Sequence, residues 1–307
     1  MKFTADFETT TQEDDCRVWA WAICDIENPE TYVTGNSVNT FMEYLECSKE
    51  SRTLYFHNLR FDAEFILVYL FEHGYQWVAS RKELADKKFT TLISDKGQFY
   101  SMEIVFKRSG HKTKKVTIFD SLKIIPQSID SIAKGFHLPE QKLKLNYDAF
   151  REPGHVLTEH EREYLSHDVQ IAARALKYFF DRGLDKMTAG SNALSEYHRI
   201  IGEKKFKRIF PNIGYDRHMD MKPAYRGGYT YANPAFQGRD IGCGIVLDVN
   251  SLYPWVMYEC ILPYGEPVFF SGRYEPDKVY PLYIQRIRCQ FELKEGFLPT
   301  IQLKNSS

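Results

Sequence analysis

The stretch TADFETT (residues 4–10) decides how this chain is read. With the two residues ahead of it, KFTADFE reads as a β-strand. Residues i and i+2 of a strand point to one face, so Asp6 and Glu8 project together while Phe7 points into the layer behind. Two carboxylates held that close repel, and a structure rarely keeps such a pair without something cationic between them. The same letters also describe an ordinary strand running out into a polar turn. Both readings stay open on this segment alone.

Outward from it, strands and helices alternate. RVWAWAICDI (17–26) reads as a second strand, SVNTFMEYLEC (37–47) as a helix with Ser37 as N-cap, and TLYFHN (53–58) as a third strand. FDAEFILVYLFEHG (61–74) reads as an amphipathic helix stopped by Gly74. FTTLISDKGQFYSMEIVF (89–106) reads as a hairpin about Lys96-Gly97, and KVTIFDS (115–121) as a further strand. The clearest helix covers about 159–182, with Thr158 as N-cap, Glu161 completing a capping box and Gly183 closing it. Strands layered with helices make an α/β or α+β domain. GLDKMTAGSN (183–192) is Gly-rich and polar, as a boundary would be. Beyond it, GIVLDVNSLYP (244–254) reads as a strand that ends at a carboxylate and turns, and EPVFF and YIQRIRCQFEL as extended segments.

The 307 residues suffice for one large domain or two ordinary ones. A hydrophobic fraction of 43% and a charged fraction of 26% fit a soluble globular protein. Aromatics reach 15%, which suits a large core and equally suits stacking on bases. The net charge of -1 announces no global basic field, so any nucleic-acid contact must rest on local patches. The basic runs KRSGHKTKK (107–115) and EKKFKR (203–208) are such patches, or plain solvated segments. The six cysteines form no CxxC pair, which predicts reduced thiols in a cytoplasmic protein. The apolar run FILVYLF (65–71) is too short to span a bilayer, so no membrane partner is expected.

Two further acids join Asp6 and Glu8. Asp62 opens a helix after a strand, where it is either a ligand or a helix cap. Asp168 lies four residues after Tyr164, on the same helix face, as a site pair or a solvated one. Four carboxylates from three elements can hold two divalent ions, and hard oxygen donors suit magnesium or manganese. Two such ions stabilise both the attacking and the leaving oxygen at phosphorus, and the Tyr164 hydroxyl is placed to orient a water.

The segments DFET, HNLRFDAEF and YLSHD resemble the three exonuclease motifs of proofreading DNA polymerases. AYRGGYT (224–230) is similar to the YxGG motif, and DVNSLYP (248–254) to motif A, of the protein-primed family B DNA polymerases of small linear-genome phages. The resemblance extends through LPYGEP and covers essentially the whole chain. It implies a ribonuclease H-like 3′–5′ exonuclease domain, a mixed sheet with flanking helices, over 1–186. A linker with the YRGG motif and the start of the palm would occupy 187–259. A palm insertion resembling the terminal-protein-docking region would begin at 260–307. Asp6, Glu8, Asp62 and Asp168 would hold the exonuclease metals, Tyr164 would place the attacking water, and Lys142, in KLKL, would lie near the scissile phosphate. Thr9, His57, Asn58, Phe61, Phe65, Ser121 and Leu122 would hold the single-stranded 3′ end, although Phe61 and Phe65 also suit a core. Tyr225, Arg226, Gly227 and Gly228 would contact the template. Asp248 would bind metal within motif A, alongside Ser251 and Leu252, and Tyr253 would pack under the incoming sugar.

The family also needs a second aspartate motif, Y-x-D-T-D, and none follows Asp248 here. One aspartate cannot support two-metal nucleotidyl transfer. The expectation is therefore the N-terminal portion of a protein-primed polymerase, acting in a host cytoplasm, in which exonuclease proofreading is complete and polymerisation is absent. Single-stranded and primer-template DNA and a terminal protein are the expected partners, with deoxynucleotides only if the missing part is supplied. The alternative is a non-catalytic module that binds single-stranded DNA or a terminal protein.

Overall fold

The alternation over residues 2–9 becomes strand β1 (Lys2–Thr9), and its two faces serve two different cores. Phe3, Ala5 and Phe7 enter one apolar cluster; the Phe7 ring meets Phe41 edge-on at 4.7 Å. The opposite face carries Thr4, Asp6 and Glu8. The computed structural model describes residues 1–298 other than 13, 49, 107–113, 226, 229 and 295–296.

The chain divides into two units, Met1–Tyr197 and His198–Ser307. In the first, β1 is followed by β2 (Val18–Asp25), β3 (Tyr32–Gly35), α1 (Val38–Cys47), β4 (Arg52–Phe56), α2 (Leu59–Glu72), β5 (Gln76–Trp77), β6 (Lys88–Ile93), β7 (Phe99–Val105), β8 (Lys115–Asp120), α3 (Ile129–Gly135), α4 (Glu159–Phe180) and α5 (Ala189–Ile201), whose last turn enters the second unit. The eight strands form one mixed sheet in the order β3-β2-β1-β4-β8-β7-β6-β5. β1, β4 and β8 run parallel, and β2, β3 and β7 are antiparallel to their neighbours. Helices α1 and α2 cover one face and α3 and α4 the other. The carboxyl ends of β1, β4 and β8 therefore open side by side, the place where ligands bind in sheets of this kind.

Local chemistry fixes these elements largely as the sequence predicts. Ser37 caps α1. Thr158 and Glu161 form the capping box of α4. The 88–105 hairpin turns through Gly97, whose φ of +71° suits glycine. Helix α2 begins two residues earlier than its apolar pattern indicates, because Asn58, with φ +73°, makes the turn into it.

The second unit departs from its pattern. It contains α6 (Glu203–Ile209), α7 (Tyr215–Met221) and α8 (Leu252–Glu259), and no strand among its described residues. The expected strand over 244–248 is not formed, nor are strands in EPVFF and YIQRIRCQFEL. Ile245, Val246 and Leu247 are 87%, 98% and 87% exposed. A ladder needs a neighbour to satisfy its backbone groups, and no described strand lies beside this one. The turn expected after Asp248 does form, at Asn250 and Ser251, and helix α8 follows it; proline is tolerated in its first turn because a first-turn N–H has no helical partner.

Candidate nuclease site

Thr4 donates its hydroxyl to the carbonyl of Val169 at 2.7 Å, which ties the acidic face of β1 to α4. That tie brings Asp168 opposite Asp6 and Glu8: ligand oxygens of the three lie within 4.8 Å of one another. A register shift between Glu8 and Thr9 in the β1–β2 ladder re-aims the end of the strand at this point. The three acids line a cavity of about 500 Å³ together with His57, Lys142, Tyr147 and Tyr164.

Asp62 stands beside this group and outside its closest trio. It is 3% exposed and is not the cap of α2, a role taken by Asn58. Tyr164 and Asp168 are 1% and 5% exposed, which removes the reading of a solvated helix pair.

The electrostatics are those of an under-compensated anionic site. Burial, followed by repulsion from Asp62, Glu8 and Asp168, holds the Asp6 carboxyl well above the usual range. Burial and Asp168 push Glu8 up to about 7. Burial first, with Glu8 and Asp120 adding to it, raises Asp62 as well. Lys142 answers this charge directly, donating to Asp168 Oδ2 at 2.9 Å. Burial opposes the Lys142 charge and Asp168 outweighs it, so the ammonium is retained. The other oxygen of Asp168 and Oδ1 of Asp62 are buried with no hydrogen-bond partner among the described residues. Orphaned, mutually repelling carboxylate oxygens with no thiol or imidazole among them fit hard divalent ions of the magnesium and manganese class.

Tyr164 remains a phenol, because burial and the neighbouring Glu8 and Asp168 push its pKa far upward. Its hydroxyl lies 2.7 Å from that of Tyr147. Tyr147 carries no motif and its reach across to α4 is tertiary, so sequence reasoning missed it. Asp120 was missed too: 2% exposed, it accepts from the backbone N–H groups of Asn58 and Leu122, each at 3.0 Å, and so shapes the carboxyl ends of β4 and β8.

The residues expected to hold DNA divide by exposure. Thr9 ends β1 half-buried, and Asn58 is exposed at the turn into α2. Phe61 is 48% exposed, whereas Phe65 packs partly against the core with its ring 5.7 Å from that of Phe61. His57 sits between Ser121 Oγ, at 3.0 Å, and the carbonyl of Gln127, at 2.7 Å. Ser121 is 2% exposed and also bonds the Phe56 carbonyl, while Leu122 is half-buried.

In the second unit, Gly228 lies against Tyr253: a Cβ there would sit 3.3 Å from the Tyr253 hydroxyl. Tyr225, Gly227, Asp248, Ser251, Leu252 and Tyr253 are exposed, and Arg226 lies outside the described residues. Of the basic runs, residues 107–113 also lie outside them, and Lys115 pairs with Glu103 at 2.8 Å. The other run forms α6, where Phe206 lies 3.5 Å from the His198 ring and Lys207 pairs with Glu203.

The chain is 46% identical to a DNA polymerase of Bacillus phage B103 over 304 residues, 99% of this chain and 52% of that protein. It is 45% identical to the phi29 polymerase over the same length. Phi29 DNA polymerase complexed with single-stranded DNA superimposes with a TM-score of 0.88 at 44% identity, covering 98% of this chain and 53% of that one. The ternary complex of the same enzyme with primer-template DNA and incoming nucleotide gives 0.86, covering 99% and 52%. The chain thus spans about half the length of the curated relatives it matches. The family profile described as DNA polymerase type B, organellar and viral, matches residues 44–155 and 151–307, and the chain belongs to that family.

Proposed function

We propose that the cavity at the ends of β1, β4 and β8 is a 3′–5′ exonuclease that removes the last nucleotide of a single-stranded DNA end as a monophosphate. The observation that carries this reading is the meeting of Asp6, Glu8 and Asp168 within 4.8 Å, with Asp62 beside them. Two magnesium or manganese ions, held by these four acids when bound, would supply Lewis acidity toward the attacking water and the leaving oxygen. Tyr164, kept a phenol, orients the water through its hydroxyl, and Tyr147 fixes that hydroxyl in turn. The Lys142 ammonium meets negative charge on the scissile phosphate. Phe61 offers an exposed face to a terminal base; Phe65 backs it. Thr9, Asn58, His57 and Leu122 border the strand's path, and the buried Ser121 acts by holding His57.

The whole protein is proposed to be a protein-primed polymerase of viral DNA replication in a host cytoplasm. Residues 1–186 supply proofreading, 187–259 the YRGG linker and the start of the palm, and 260–307 the start of an insertion that docks a terminal protein. Asp248 is proposed as a polymerase metal ligand in the Asp248–Ser251–Leu252–Tyr253 motif, with Tyr253 under the incoming sugar and Tyr225 to Gly228 along the template. Templated extension is proposed only where a second aspartate motif is supplied, since these 307 residues hold no Y-x-D-T-D.

The test is incubation of the purified chain with end-labelled single-stranded DNA in magnesium, and again in EDTA. Magnesium-dependent shortening from the 3′ end is expected. Binding without shortening would replace the reading with a non-catalytic module.

A further inference from the structure

Residues 140–146 contain neither helix nor strand, yet they carry Lys142 to the site. They run along α4 and are tied to it step by step. Arg174 grips Glu140 with two bonds of 2.8 Å, from Nε and Nη2 to the two carboxylate oxygens. His167 donates through Nδ1 to the carbonyl of Gln141 at 2.8 Å, and His160 donates through Nε2 to that of Lys144 at 3.1 Å. Residues 160, 164, 167, 168 and 174 follow a helical spacing that lays one stripe of α4 beneath this strap.

The Arg174–Glu140 tie is the strongest of them by chemistry. It is charge-assisted and bidentate, and Glu140 is only 11% exposed. We propose that Arg174 and Glu140 are positioning residues for Lys142: the pair pins the strap two residues ahead of Lys142 and so fixes the ammonium against Asp168. Lysine has four rotatable bonds and a single charge, so the placement of that charge depends on the backbone that carries it. Arg174 also bonds Glu30, at 71% exposure, in the β2–β3 turn. That second arm leaves the strap untouched and supplies a control.

The consequence for cleavage rests on the exonuclease reading; the consequence for the strap does not. Glu140→Gln keeps the side chain's shape and removes the charged grip. It should lower kcat on single-stranded DNA roughly tenfold with KM unchanged, as loss of a group supporting a site residue does. In a Lys142→Ala background the same change should alter the rate by less than about twofold, because its effect passes through Lys142. Trypsin cleavage after Lys142 or Lys144 should quicken roughly tenfold in Glu140→Gln and in Arg174→Ala as the strap opens locally. Glu30→Gln should change neither cleavage of DNA nor cleavage by trypsin. Unchanged tryptic cleavage in both strap variants overturns the proposal, as does a loss of kcat as large without Lys142 as with it. If the wild-type chain cuts no DNA, the exonuclease reading falls and the tryptic rates alone decide the strap.

Discussion

Glu8 offers a direct measure of how much repulsion the acidic site holds. Burial, then Asp168, raises its carboxyl from 4.5 to about 7. A carboxyl raised on folding binds its proton more tightly in the folded state. Its contribution is therefore fully present below about pH 4.5 and is lost as pH rises through about 7. The difference corresponds to roughly 3 kcal/mol at 1.36 kcal/mol per unit. For a unit of this size that amounts to roughly 6–12 °C of melting temperature. In EDTA the wild type should lose most of that stability between pH 5 and pH 8 relative to Glu8→Gln, which has no proton to lose. His57, lowered by burial, works in the opposite direction over the same window, gaining stability as pH rises, and the comparison with Glu8→Gln cancels it. At pH 8, magnesium at 100 times its dissociation constant should restore about 2.7 kcal/mol to the wild type and much less to Glu8→Gln. Thermal melts of both proteins at the two pH values, with and without magnesium, make the measurement. Parallel pH dependences and equal gains from magnesium would refute both the crowding of charge and its relief by a cation.

Replacing Asp6 and Glu8 together with alanine should reduce exonuclease kcat by orders of magnitude with an unchanged circular dichroism spectrum; retained activity would move the metal site elsewhere. Tyr164→Phe should cost less than the double acid change, roughly 10–100-fold, because a positioned donor is lost while the acids remain, and single-turnover rates measure it. Phe61→Ala should raise KM for single-stranded DNA with little effect on stability, whereas Phe65→Ala should lower the melting temperature as well, since only Phe65 packs partly into the core.

Where sequence periodicity and capping chemistry are local, they were readable: β1 with Phe7 turned inward, the Gly97 hairpin, and α4 with its capping box all follow from residues within one or two turns. The acids were readable as a set because their motifs occur in order. Their grouping was only partly so, since the trio Asp6, Glu8 and Asp168 excludes Asp62, which spacing cannot show. Tyr147, Asp120 and the Arg174–Glu140 grip were illegible because each acts across the fold, from loop to helix or strand end to strand end. The missing strand at 244–248 fails for the reverse reason. Its apolar letters state a preference, and a strand also needs a neighbour.

The site holds its acids together against their own repulsion because the elements bearing them are fixed by other contacts. On β1, Phe3, Ala5 and Phe7 are locked in one core while Thr4, two residues before Asp6, bonds α4 at Val169, the residue after Asp168. Sliding α4 by one turn would shift Asp168 by about 5.4 Å, and it would break the Thr4 bond and drag Val169, Leu165 and Leu176 out of the second core. Removing Phe7 to alanine would cost about 3–5 kcal/mol, comparable to the roughly 3 kcal/mol that Glu8 alone loses by ionising. Core contacts of that size allow a buried carboxylate such as Asp62, with one oxygen left without a hydrogen-bond partner among the described residues, to persist without the sheet and helix moving apart.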